Sequence, residues 1–216
     1  MKEIYIIGIQ TSFITEAVEI CELNGYKKIY LVDNLNNDAR EKIEKYPVIY
    51  LNKLIKSPKK FSYIIPVHTP RFRQDIFKTL NKRKFIPVSV IHPKTVISKR
   101  AVISKDGVII GAGAVIGSNS FISDFVIINR GAMIGHDVRM DDFSTVQSGA
   151  ILGGFVQVNK RGYIGMGAKL LPGMTVGVDS VVAAGAVVMG RVPGNTMAAG
   201  IPAIVKKTGI AGYRGK

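Results

Sequence analysis

From Ile110 to Val188 an aliphatic residue stands at every sixth position, fourteen times without a miss. The series runs Ile110, Ile116, Ile122, Ile128, Ile134, Met140, Val146, Leu152, Val158, Ile164, Leu170, Val176, Val182, Val188. The residue two before each is usually small or β-branched, as at Ala114, Ser120, Val126, Ala132 and Ala150, with Met174 the large exception. Glycine often follows directly, as at Gly111, Gly117, Gly135, Gly153, Gly165 and Gly177. A period of six fits neither an amphipathic helix nor the alternation of a half-buried strand. It predicts a hexapeptide β-helix, in which each hexad supplies one short strand and one corner and the aliphatic side chains stack inward. With three hexads to a triangular coil, Ile97 to Val188 predicts roughly five coils.

The pattern before His92-Pro93 is different. Ile4–Ile9 is an apolar run ending around Gly8, followed by a predicted helix from about Ser12 to Asn24 that closes at Gly25. Lys28–Asp33 reads as a second strand ending in a carboxylate. A polar stretch, Asn34–Lys45, precedes a short apolar run at Val48–Leu51. Tyr63–Val67 reads as a further strand, Arg71–Asn81 as a helix and Phe85–Ile91 as a last strand. Alternating strand and helix predicts a small parallel α/β sheet. The change of period divides the chain into residues 1–92 and 93–216. Val96–Ile109 reads as an irregular opening coil, and the seven-residue step from Ile103 to Ile110 predicts a bulge at Asp106-Gly107. The tail Ala203–Lys216 reads as a short helix fraying at Gly209, Gly212 and Gly215.

Composition narrows the classes. The 216 residues are 47% hydrophobic, ample for a core, yet no run approaches the ~18 apolar residues of a membrane span. Met1-Lys2-Glu3 leads into a strand-like run and no small-residue cleavage site follows, so the start does not read as a secretory signal. The single Cys21 excludes an intramolecular disulfide framework and fits a reducing cytoplasm. With no histidine near it in sequence, Cys21 reads as a buried helix residue rather than a nucleophile. The net charge of +15 leaves three readings open: a nucleic-acid surface, a lysine-rich solvated surface, or cations that receive small polyanions. The basic clusters Lys59-Lys60, Lys82-Arg83-Lys84, Lys160-Arg161 and Lys206-Lys207 are short and dispersed. No aromatic platform interleaves with them, so a nucleic-acid partner is not expected.

Candidate chemistry centres on His136, the one histidine inside the hexad region, which stands two places after Ile134 on an outward wall position beside Asp137. A histidine held in one tautomer by a carboxylate can act as a general base. Gly154 follows one coil of eighteen residues later, about one strand spacing (~4.8 Å) away. A glycine there leaves room for a ligand and an unobstructed N–H for a developing oxyanion. His68 follows the Tyr63–Val67 strand, where α/β sheets bind ligands; His92, before a proline, reads as structural. One histidine cannot supply the ligand set of a β-helical zinc enzyme, so no metal is expected. Only Gly8 follows the first strand where a dinucleotide fingerprint needs three glycines. Thr11 or Ser12 can cap the next helix, whose N-terminus favours an anion, and Asp33 stands where such folds grip a ribose or base.

These stretches together resemble the sialic acid O-acetyltransferase (NeuD-type) family of hexapeptide acyltransferases, which includes the PglD-type N-acetyltransferases of nucleotide-linked amino sugars. The residues that carry the likeness are Ile6-Ile7-Gly8, Val90-Ile91-His92-Pro93, Ile128-Asn129 with His136-Asp137, Val192-Pro193-Gly194-Asn195 and Ala199-Gly200-Ile201-Pro202-Ala203. The resemblance implies a small Rossmann-like α/β domain followed by a left-handed parallel β-helix, and a cytoplasmic homotrimer with acetyl-CoA in the groove between subunits. It implies His136 as general base, Asp137 as its acidic partner and Asn129 in the acceptor site, with Gly8, Thr11, Ser12 and Asp33 in the nucleotide-sugar loop. It further implies Gly154, Met166 and Ala184 as backbone contacts of coenzyme A. Thr145 occupies the place where some members carry a second histidine near the thioester. The expected activity is acetylation of a nucleotide-linked amino sugar in bacterial surface-glycan biosynthesis. The alternatives are O-acetylation of sialic acid or another sugar, and non-catalytic binding of a sugar nucleotide.

Overall fold

The computed structural model describes residues 2–37, 41–80 and 84–215. Residues 38–40 of the polar stretch, the expected helix end at Asn81 and the cations Lys82 and Arg83 lie outside the described residues. Six strands form an N-terminal sheet: β1 (Glu3–Ile7), β2 (Lys28–Asp33), β3 (Lys42–Ile43), β4 (Tyr46–Tyr50), β5 (Phe61–Ile64) and β6 (Phe85–Pro87). Their order is β3-β4-β2-β1-β5-β6, parallel except for the β3–β4 pair. Three helices connect them: α1 (Ile14–Leu23), α2 (Leu51–Lys56) and α3 (Pro70–Thr79). β1 is central and buried on both faces, which is why Ile4, Ile6 and Ile7 run on rather than alternate. Cys21 is fully buried in α1, and burial pushes its thiol up to about 12, the state of a packing residue.

Several expectations about this half are corrected. The Val48–Leu51 run is divided between β4 and α2, a two-turn helix anchored by buried Leu51 and Leu54 and too short to show a period. α1 begins after Phe13 with no side-chain cap; the Thr11 hydroxyl instead accepts the Phe13 N–H at 3.3 Å. The expected strand Phe85–Ile91 is two strands. β6 ends at Pro87, and Val90–Ile91 pairs with Ile109–Ile110 as the first strand of the solenoid.

The hexads wind into a three-faced β-solenoid of two-residue strands, which from Ile109 to Val188 pair in parallel at eighteen-residue spacing, as Ile109 to Ile127 and Thr145 to Tyr163. The opening coil is regular, with strands at Val96–Ile97 and Val102–Ile103, and its extra residue is absorbed at Gly107 (φ +73°). All fourteen aliphatic residues of the series lie in one buried column, with Ala114, Ala132, Ala150, Ala168 and Ala186 filling the corners. The third residue after each aliphatic from Ile110 to Val182 takes a positive φ, among them Gly113, Asn119, Phe125, Asp137, Phe143 and Phe155. The corner therefore demands a left-handed residue whatever its side chain. The tail is not a helix. Ile204–Lys207 is a strand antiparallel to Met197–Ala199, because the last coil leaves an edge for it to pair with.

One face of the solenoid is covered and another is bare. Outward residues Ile109, Ile127, Thr145, Tyr163 and Val181 are buried, the first three completely: Ile109, Ile127 and Thr145 lie under the N-terminal half, and Tyr163 lies against Tyr213 of the tail. Phe125 and Phe143 stack at 5.0 Å from neighbouring corners and pack on Phe77 of α3, so the two halves share a core. On the next face Val96, Met133 and Ile151 point outward and are 64%, 47% and 39% exposed.

Candidate active site and ligand cavities

His136 lies on the corner that follows the Met133–Ile134 strand. Asp137 takes the left-handed position of that corner (φ +56°), which an aspartate tolerates better than most residues. This conformation turns its carboxylate back onto the preceding side chain, and His136 Nδ1 lies 2.8 Å from Asp137 Oδ2. Asn119, one coil away, donates a second hydrogen bond to Asp137 Oδ1 at 3.3 Å. The hydrogen bond with His136, and then that from Asn119, hold the Asp137 carboxyl below the usual carboxylate range, so it stays an acceptor. In the neutral ring the proton is therefore on Nδ1, toward the carboxylate, and the lone pair on Nε2. The imidazole stands edge-on to Phe155, centroids 5.0 Å apart at 88°. Its side chain is 58% exposed, open to a reactant.

Gly154 lies directly against that ring, so the expectation of free space for a ligand is corrected. A Cβ on Gly154 would stand 2.5 Å from His136 Nε2 and 2.6 Å from Cε1. The room a side chain would take holds the imidazole itself.

Three of the hollows among the described residues bear on the other sequence candidates. The first, about 660 Å³, is lined by Thr11, Ser12, His68, Asn129, Gln147 and Tyr163 among others. It sits where the loop after β1 and the segment after β5 meet the Asn129 corner. A second, also about 660 Å³, adjoins it through Gln147, Tyr163 and Met166 and continues past Ala184 to Lys207 and Arg214. Tyr213 of the tail stacks on Tyr163 at 3.8 Å and lines both. A third, about 550 Å³, opens at the C-terminal ends of β1 and β2 between Gly8, Asn34, Leu35, Phe72 and Asp75. His136 and Asp137 line none of the three. They occupy a different corner from Asn129, with the bare face of Met133 and Ile151 between.

The remaining sequence candidates divide accordingly. Gly8 (φ +97°) lines the third hollow, and a Cβ there would stand 2.6 Å from Val67 Cγ2. Asp33 is fully buried, and its carboxylate accepts the N–H groups of Leu35 (2.9 Å) and Asn37 (2.7 Å); it shapes the loop instead of offering an open carboxylate. His68 is mostly buried against Phe13, at 4.5 Å between centroids, and burial and then the charge of Arg73 lower its pKa to about 4. Thr145, expected beside coenzyme A, is fully buried: it lies on the covered face and bonds His68 O and Arg73. Met166 is exposed and lines the first two hollows; Ala184 lines the second. His92 accepts the Lys94 N–H at 3.0 Å, a local structural bond.

Sequence reading missed Gln147, Tyr163, Tyr213 and Arg73. Gln147 and Tyr163 were accessible through the eighteen-residue repeat from Asn129 and Thr145; Tyr213 and Arg73 had no periodic signal. Some of the cations are paired: Arg71 and Arg161 share the buried Asp179, and Arg130 pairs with Glu16, but such pairs do not account for the positive excess. Among the described residues no group of three or more His, Cys, Asp or Glu is placed to hold a metal, and no helix is long and apolar enough to cross a membrane.

No family model matches the chain. A curated protein of Schizosaccharomyces pombe that carries a provisional acetyltransferase name is 56% identical over 41 residues, 19% of this chain and only 20% of that protein. The acetyltransferase domain of PglB from Neisseria gonorrhoeae, solved with acetyl coenzyme A, superposes with TM-score 0.87 at 28% identity, covering 94% of this chain and 98% of that one. PerB from Caulobacter crescentus, solved with CoA and GDP-perosamine, superposes at 0.84 with 29% identity, covering 96% and 98%. A histidine-to-alanine mutant of GDP-perosamine N-acetyltransferase from Caulobacter crescentus, solved with CoA and GDP-perosamine, is likewise similar, at 28% identity and TM-score 0.85 over 96% of this chain and 98% of that one. WeeI from Acinetobacter baumannii, at 23% identity and TM-score 0.86, shares the fold over 95% of this chain and all of its own. The chain is an acyltransferase of the left-handed β-helix class, built from end to end like the sugar N-acetyltransferases it resembles, as its NeuD-type sequence pattern implied.

Proposed function

We propose that this protein transfers the acetyl group of acetyl-CoA to the amine of a nucleotide-linked amino sugar, in the cytoplasm, for bacterial surface-glycan biosynthesis. The observation that carries the reading is the His136–Asp137 pair, 2.8 Å apart on an exposed corner, with Nε2 unengaged by the carboxylate. As the acceptor nitrogen bonds to the thioester carbonyl carbon, His136 Nε2 takes its proton. The C–S bond then breaks and CoA leaves as thiolate, which regains a proton to end as the thiol. Gly154, against the ring, is the candidate backbone donor to the oxyanion.

Residues 93–216 carry coenzyme A and the base in this reading, and residues 1–92 bind the nucleotide. Met166 and Ala184 line the coenzyme's hollow, with Lys207 and Arg214 at hand for its phosphates. The sugar enters the polar cavity of Thr11, Ser12, His68 and Asn129, and the nucleotide extends toward Gly8 and the loop that Asp33 shapes. A homotrimer supplies what one copy lacks. If a neighbour covers the bare face of Val96, Met133 and Ile151, the His136 corner of one copy meets the acceptor cavity of the next. N-transfer is favoured over O-transfer by the Caulobacter crescentus structures solved with GDP-perosamine, one of which is named an N-acetyltransferase.

The test is thiol release from acetyl-CoA across UDP-, GDP- and dTDP-linked amino sugars, with free sialic acid as the hydroxyl acceptor. Release with an amino sugar supports the reading. Release with sialic acid alone moves it to O-transfer, and silence on the whole panel leaves a binding protein.

A further inference from the structure

Arg73 is fully buried on α3, and its hydrogen bonds run to the solenoid and to the segment after β5 rather than to any carboxylate. Nε donates to Phe125 O (2.9 Å). Nη1 donates to Val67 O (2.5 Å). Nη2 donates to Phe143 O (2.6 Å), Ser144 O (3.1 Å) and Thr145 Oγ1 (2.9 Å). Thr145 Oγ1 in turn donates to His68 O (3.1 Å). The carbonyls of Val67 and His68 are thus both tied to the solenoid, one by Arg73 and one through Thr145. A buried cation spread over carbonyl oxygens is costly to build, and the desolvation lowers its pKa to about 9. An apolar side chain would fill this seam between the halves more simply.

What the clamp positions is visible one residue on. Asn129 Oδ1 accepts the N–H of Arg130 at 2.7 Å, which fixes the orientation of the amide. Asn129 Nδ2 therefore faces Gln147 Oε1 (3.1 Å) and His68 Nε2 (3.5 Å) as a donor. His68 must meet it as an acceptor, with its proton on Nδ1. His68, Asn129 and Gln147 form a row of neutral groups in the polar cavity, suited to the hydroxyls of a sugar rather than to a charge.

We propose that Arg73 is a positioning residue, acting through Thr145 to hold His68 in one tautomer against Asn129, and that this row determines which acceptor sugar the cavity accepts. The proposal rests on the reading of that cavity as the acceptor site. Arg73 itself touches no substrate. Its effect falls on acceptor recognition, leaving the chemical step at His136 and the coenzyme hollow unaltered.

Two measurements test it. Nitrogen NMR of the free protein, whose three histidines are told apart by a His68→Gln control, reads the tautomer with no substrate present. The expected result is a single neutral tautomer protonated on Nδ1 in the wild type and a mixture in Thr145→Val, with Thr145→Ser restoring the wild-type spectrum. Kinetics then read the consequence. Thr145→Val should raise the KM for the amino-sugar nucleotide roughly tenfold, the loss of one hydrogen bond, while kcat and the KM for acetyl-CoA stay within about twofold. Arg73→Lys should do the same more strongly; if it fails to fold, Thr145→Val, which keeps all the Arg73 carbonyl bonds, carries the test. An unchanged His68 spectrum in Thr145→Val, or equal rises in both KM values, overturns the proposal. A wild type inactive on every acceptor but with the tautomer locked would instead overturn the functional reading and leave the clamp standing.

Discussion

Gly154 and His136 occupy one space: the imidazole lies where a side chain on Gly154 would be, with Nε2 2.5 Å from the ideal Cβ position. Gly154 has no positive φ, so alanine costs nothing in backbone strain, and the conflict is with the ring alone. Gly154→Ala should lower kcat by roughly 10²-fold, the price of moving a catalytic group by about 1 Å, with an unchanged melting temperature. Wild-type turnover in this variant would mean that the ring's place over Gly154 is irrelevant to the reaction.

Replacing the base itself separates chemistry from folding. His136→Ala should retain the solenoid, since the side chain is outside the aliphatic column, and should lower kcat by roughly 10²–10⁴. Asp137→Ala should cost less, because it orients the ring and takes no proton. Stopped-flow or steady-state thiol release reads both. Retention by His136→Ala of more than about a third of wild-type turnover on the true acceptor would remove His136 as the general base.

Asp33 acts at one remove. Asp33→Ala frees the N–H groups of Leu35 and Asn37 and loosens the rim of the hollow beside Gly8. The KM for the sugar nucleotide should rise well above that for acetyl-CoA, with a loss of stability of about 1–3 kcal/mol from the unpaired backbone groups. A matched rise in both KM values would place the nucleotide elsewhere.

Assembly is read by mass. Light scattering should give about 70 kDa, three times the 23.5 kDa chain. Ile151→Glu places a charge on the bare face without touching the buried column, so it should yield monomer and abolish turnover together. A wild-type monomer at micromolar concentration, fully active, contradicts the shared site.

His68 makes stability depend on acid. Its folded pKa, about 4, lies below the unfolded value of 6.5, so below pH 6.5 the unfolded chain binds a proton the folded chain refuses. Stability from this group is complete above 6.5 and falls as pH drops toward 4, by up to about 3 kcal/mol. Urea unfolding at pH 7 and pH 4.5 should show this loss in the wild type and a smaller one in His68→Phe. An equal loss in both would assign the acid sensitivity to other groups.

The hexad arithmetic was sufficient for the solenoid because each of its contacts is local in the repeat: a residue meets its equivalents eighteen away, and a period in sequence becomes a stack in space. That regularity also marked His136, and Asn129 through Gly135-His136-Asp137 and the family motifs. It failed where the period ends. The strand at Val90–Ile91 and the tail strand at Ile204–Lys207 exist because an edge of the solenoid was there to pair with, and no local preference records an edge. The role of Thr145 turned on burial, which depends on how the N-terminal half lies across one face of three, and that of Asp33 on the loop that folds back onto its carboxylate. Arg73 shows the limit most clearly. Its partners at Phe125, Phe143 and Thr145 are 52 to 72 residues away in sequence, and only tertiary packing brings this one arginine of α3 to the carbonyls that offset its burial.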